Sequence, residues 1–132
     1  MKLAPHSKNR IMESAREWSV SQEYFDPVFN YLVHGFAPGS FFTSLLANDF
    51  FGAMQHSHSG NSIPELKHLT SWIASSIPFE AFGSYQKVTY WLRLDDDQRR
   101  ALLVRRGLVY TPEEEVMLAL KGTKTYEPML SF

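Results

Sequence analysis

Ser40-Phe-Phe-Thr-Ser-Leu-Leu-Ala-Asn-Asp-Phe-Phe-Gly-Ala-Met-Gln55 follows directly on Pro38-Gly39. Pro-Gly is turn chemistry, and a serine just after a turn is a common helix opener. On a helical projection Leu45, Phe42, Leu46, Phe50, Met54, Ala47 and Phe51 cover most of the circle. Ser44, Asn48, Gln55 and Gly52 are left as a narrow polar or small stripe. A helix that is apolar over most of its circumference belongs in the middle of a bundle. The stretch therefore predicts a central buried helix over 40–55. Gly52 costs such a helix roughly 1 kcal/mol relative to alanine. Its presence predicts that another backbone passes close by.

Working outward, the punctuation on both sides is helical. Ile11, Ala15 and Trp18, with Met12 beside them, give a short amphipathic helix over 8–18. Asp26-Pro27 reads as a helix start, the aspartate capping free amides and the proline giving up no needed hydrogen bond. Val28, Phe29, Leu32 and Val33 follow, and Gly35 is placed to close that helix in a left-handed conformation. Ser62-Ile-Pro-Glu65 is a capping box, after which Leu66, Leu69, Ile73 and Ile77 form one apolar stripe ended by Pro78. Gly83-Ser84 opens a helix with Val88, Trp91 and Leu92 inward. Asp95 to Asp97 and then Arg99, Arg100, Arg105 and Arg106 place acid first and base last, complementing a helix dipole, with Gly107 as the stop. Ala101–Val104 and Leu108–Tyr110 could instead pair as a hairpin, but the charge order favours the helix. Thr111-Pro-Glu-Glu114 is a second capping box. It leads into Val116, Met117, Leu118 and Leu120, with Gly122 as a stop. The expectation is an all-α, single-domain bundle spanning residues 1–132, of about six short helices around the central one.

Composition narrows function mainly by exclusion. The net charge is −1, so no global field draws the chain to nucleic acid or an acidic membrane. The absence of cysteine removes disulfides, thiolate metal sites and a cysteine nucleophile. The first ten residues hold no apolar run of signal-peptide length, and no stretch reaches bilayer length. These features point to a soluble, cytoplasmic protein.

Asp49 projects into the apolar arc of the central helix. A buried carboxylate is either an acid serving a site or a tie to a neighbouring cap or arginine. His56 and His58 stand two apart, a spacing that shares a metal only in a strand or loop and with a third ligand; no supporting motif is present. No GxSxG or phosphate-loop pattern occurs, and Ser40 and Ser84 sit where caps are expected. His34 falls at a helix C-terminus, and His68 projects away from its stripe, towards solvent. No cofactor and no metal are expected.

The helix, glycine turn and helix over 95–122 have the outline of a helix-turn-helix. Its second helix, however, would present Glu113, Glu114 and Glu115 to phosphates, which repels them. Arg99 and Arg106 share a face of the preceding helix and could touch backbone phosphates. Nucleic acid is thus the second reading. The first draws on the aromatics: ten Phe, six Tyr and three Trp are many for a small core. Tyr90 points away from its stripe, and Tyr110, Tyr126 and Phe132 fall near loops or the tail. Exposed tyrosine beside arginine is what protein interfaces enrich.

Tyr31-Leu-Val-His-Gly35, Pro38-Gly-Ser-Phe-Phe42, Leu45-Leu-Ala-Asn-Asp-Phe50, and Phe82-Gly-Ser84 with Val88 and Trp91-Leu92 together form a pattern over 31–92. It resembles a pattern in small, mostly uncharacterised helical proteins of phages and mobile elements. The resemblance implies an accessory protein that binds and inhibits a host machine, a host defence complex included. The combined expectation is a non-enzymatic module without catalytic residues. It would bind another protein or a second copy of itself through Tyr90, Arg99, Arg106 and Tyr110, and would act by occlusion.

Overall fold

A computed structural model describes residues 2–57 and 62–121. The chain runs through α1 (Ser7–Glu17), α2 (Gln22–Phe29), a wide π-type turn (Asn30–His34), α3 (Ser40–Leu46) and α4 (Phe50–His56). It continues through α5 (Ile63–Ser76), a tight 3-10 turn (Phe79–Ala81), α6 (Tyr85–Arg93), α7 (Asp96–Arg106) and α8 (Pro112–Lys121). The architecture is an all-α, single-domain bundle with eight α-helices and no strand among the described residues. None of these helices is long and apolar enough to cross a membrane. His58, Gly122, Tyr126 and Phe132 lie outside the described residues.

The deepest burial falls on the end of α2 and the wide turn after it. Val28, Tyr31 and Leu32 are wholly buried and Val33 nearly so. Around them Phe25, Trp72, Trp91, Ile11, Leu69, Ile77, Leu103 and Val109 complete the core. Polar atoms carried into this apolar volume are matched. The Tyr31 hydroxyl donates to the Ala81 carbonyl at 2.6 Å, and Trp91 Nε1 donates to the Tyr31 carbonyl at 3.1 Å. Trp72 Nε1 donates to Ser14 Oγ at 3.0 Å, joining α5 to α1. An unmatched group at any of these points would cost about 1–3 kcal/mol. Burial also raises the Tyr31 hydroxyl well above the ordinary tyrosine pKa.

The single central helix expected over 40–55 is two helices. Asn48 adopts φ 60°, and the Asp49 and Asn48 amides donate back to the Ser44 and Leu45 carbonyls at 2.9 and 3.1 Å. That is a Schellman closure of α3, with asparagine in the left-handed position. Asp49 then turns its carboxylate onto the Gly52 amide at 2.9 Å and caps α4. Two short polar side chains with local hydrogen bonds outcompete the continuing helix. The break resets the rotation of everything downstream. Ser44, assigned to the polar stripe, is buried, while Phe50 and Phe51 are 68% and 84% exposed. Gly52 is tight, as its helix cost implied, but against side chains: a Cβ there would collide with the Asp49 carboxylate and lie 2.8 Å from Ser44 Oγ.

A second difference concerns Asp26-Pro27, which lies inside α2 and does not start it. Tyr24 and Phe25 are buried, and burying those two rings extends the helix back to Gln22. In α1, Ile11 and Ala15 are buried as expected, but Trp18 follows the helix and is partly exposed. His68 is half-buried.

The remaining boundaries fall where their caps predict. Ser62 accepts from the Glu65 amide at 3.3 Å, although the Glu65 carboxylate takes a hydrogen bond from the Tyr24 hydroxyl at 3.1 Å. Ser84 accepts from the Lys87 amide, Asp95 and Gln98 form a full capping box, and Thr111 accepts from the Glu114 amide.

Candidate functional site

The break at Asn48-Asp49 creates the main surface feature. Helix α4 leaves the line of α3, and its residues face the first half of α5 across a groove. An apolar groove of about 430 Å³ opens between them, lined by Leu45, Asn48, Phe50, Met54, Ile63 and Leu66, with Lys67 and Thr70 at its edge. Phe50 stands at the groove and Phe51 next to it, their rings edge-on at 5.8 Å. Ile63 on the opposite wall is 72% exposed. Two large apolar side chains, Phe50 and Ile63, thus face solvent on the walls of one concave site, and exposed Phe51 adjoins Phe50. Lys67 brings a cation, and it makes no ion pair with any other described residue.

Asp49 also lines this groove, and its chemistry is committed. Its carboxylate receives the Tyr85 hydroxyl and the Gly52 amide. Tyr85 lies 3.4 Å from Ser44 Oγ as well, so the start of α6 is pinned to the α3–α4 corner. The Tyr85 hydrogen bond, then the Gly52 amide, hold the Asp49 carboxyl below its ordinary pKa; His56 adds a smaller effect in the same direction. Asp49 is therefore a cap and tie at a half-buried surface position. The sequence reading of it as a buried acid within a helix stripe is replaced by this geometry. Among the described residues no group of three His, Asp or Glu side chains is arranged to hold a metal ion.

The four residues expected to meet a partner are not one surface. Arg99 is 5% exposed. Its guanidinium donates to the Leu94 carbonyl, to the His34 carbonyl at 3.3 Å and to the Asp96 carboxylate. It lies over Gly35, where a Cβ would come within 2.6 Å of Arg99 Cζ. Arg99 thus clamps α7 onto the end of the wide turn and is withdrawn from solvent. Arg106 is exposed, but it donates to the Ser75 carbonyl at the end of α5. Tyr110 is half-buried; Arg10 stacks over its ring at 4.8 Å, and its carbonyl accepts the Ala4 amide at 3.0 Å. Only Tyr90 presents an uncommitted half-exposed ring, beside Gln86, Thr89 and Arg93 on the outer face of α6.

Sequence reasoning missed Phe50, Phe51 and Ile63 as surface residues. The available signal was Asn48-Asp49 followed three residues later by Gly52, which is a helix stop and start within five residues.

The fold and groove define a small helical bundle with a solvent-facing apolar cleft. No family model, curated protein or solved structure matches the chain.

Proposed function

We propose that the protein is a non-catalytic binding module that engages another protein through the groove between α4 and α5. The observation that carries this reading is the convergence of exposed Phe50 and Ile63 on one apolar concavity, with the exposed Phe51 ring adjoining Phe50. A soluble surface rarely gathers large apolar side chains around a cleft without a use for them. The occupant that fits is an amphipathic helix of the partner. Its apolar anchors at i, i+3 or i+4, and i+7 fill the groove. A carboxylate on its flank meets Lys67, the cation at the groove edge. Binding then blocks the face of the partner that carries this helix. The resemblance over 31–92 extends the proposal to a host complex as that partner.

Nucleic acid is the weaker reading on physical grounds. Arg99 is enclosed, Arg106 is tied to the end of α5, and the first turn of α8 carries three glutamates.

The test is selection from a displayed library of amphipathic helical peptides. Enriched peptides are expected to carry spaced apolar anchors and an acidic flank. They should lose binding to Phe50→Ser with Ile63→Ser, and weaken several-fold against Lys67→Glu. Peptides that bind the double variant as well as the unaltered chain would remove the groove from the proposal.

A further inference from the structure

A second exposed apolar surface lies on α8 among the described residues. Val116, Met117, Leu118 and Leu120 are all exposed there. The order of residue types along the helix is Glu113-Glu-Glu115, then Val116-Met-Leu-Ala-Leu120, then Lys121. Acid, apolar centre and base follow one another. Glu113, Met117 and Lys121 recur four apart and so share one stripe, which Val116 and Leu120 widen.

This order is self-complementary in one orientation. We propose that α8 pairs with α8 of a second copy of this chain, antiparallel, about a two-fold axis at Met117. Met117 then meets Met117, Val116 lies near Leu120 of the other copy, and the acidic first turn of each copy lies beside the last residue of the other helix, Lys121. A closed two-fold dimer needs a patch that is its own complement, and this sequence supplies one. The opposed helix dipoles add to the attraction. A parallel pair would set Glu113 and Glu114 of one copy against those of the other and is repelled. Of the three glutamates in that turn, Glu113 and Glu114 are exposed, while Glu115 lies 4.0 Å from Arg10 and anchors the helix to α1.

The size of the patch sets the strength. A ten-residue helix is about 15 Å long. Its face covers less than the roughly 800 Å² per partner of a standard interface. Association is therefore reversible, with Kd on the order of tens of micromolar. The α8 pairing uses none of the groove residues, so a dimer carries two free grooves and binds a repeated partner bivalently.

The absence of cysteine allows a direct test on the full chain. Single-cysteine variants are treated with a short bismaleimide near the expected Kd. Met117→Cys should link to itself much faster than an exposed control, Glu13→Cys. Glu113→Cys and Lys121→Cys should each link poorly alone and readily when mixed. Sedimentation velocity should show dimer formation weakened several-fold by Glu113→Lys and restored when Lys121→Glu is added in the same chain. Leu120→Glu should give monomer with unchanged helical circular dichroism. A chain that stays monomeric to about 1 mM overturns the proposal, as does Glu113→Cys linking to itself as fast as Met117→Cys.

Discussion

Tyr85, the first residue of α6, donates its hydroxyl to the carboxylate of Asp49, the residue that caps α4. One hydrogen bond thus joins the groove wall to the core-bearing helix that carries Val88 and Trp91. Because it favours the ionised acid, it lowers the pKa of Asp49 from its ordinary 3.8. A group with a depressed folded pKa contributes its full stability above the unfolded value. It loses that contribution as pH falls through the folded value. The melting temperature of Tyr85→Phe should therefore lie below that of the unaltered chain by a constant margin from neutral pH down to about pH 5. The margin should close at acid pH, below the ordinary carboxylate range. Melting curves followed by circular dichroism across pH measure this directly.

Gly35→Ala should be among the most damaging small substitutions. Gly35 has φ 67°, and a Cβ there would stand 2.6 Å from the buried Arg99 guanidinium. The left-handed conformation costs alanine about 1–2 kcal/mol, and displacing Arg99 adds to it. Arg99→Ala should itself cost about 2–3 kcal/mol, since it strips the His34 and Leu94 carbonyls of a charged donor. In a double-mutant cycle measured by urea unfolding the two losses should be clearly less than additive, because both break one clamp.

Asn48 tests the helix break. Asn48→Gly should change stability by only a few tenths of a kcal/mol, because glycine accepts the left-handed position. Asn48→Ala should cost about 1 kcal/mol by chemical denaturation. If 40–55 were one continuous helix, alanine would stabilise it and glycine would weaken it. The order of the two variants therefore decides between the geometries.

Phe50→Ser with Ile63→Ser should leave stability within about 0.5 kcal/mol, because both side chains face solvent. The same double variant should abolish groove binding. Thermal unfolding and peptide titration on one sample separate the two effects.

Tyr31→Phe removes a single buried oxygen and leaves the Ala81 carbonyl without its donor. The expected loss is about 1–3 kcal/mol with no change in fold, read from urea unfolding.

The helix ends were legible in the sequence wherever a cap is local. Ser62, Ser84, Asp95 and Thr111 each accept from an amide three residues on, and that spacing is visible in the chain itself. The stripe Leu66, Leu69, Ile73 was legible for the same reason, since one helix face is a property of one segment. The groove was not, because a periodic projection assumes an unbroken helix. The left-handed turn at Asn48 moves Phe50 and Phe51 off the face that the projection gives them. The burial of Arg99 was not legible either. Two of its partners are backbone carbonyls, and His34 is brought to it only by the docking of α7 onto the wide turn.

The two-residue corner at Asn48-Asp49 also decouples the outer wall of the groove from the load of folding. Val28 to Val33, Trp72 and Trp91 hold the bundle together without help from Phe50 or Phe51. Substitutions on the outer side of α4 can therefore accumulate at little thermodynamic penalty. A scaffold divided in this way can change its outer surface while its interior stays the same.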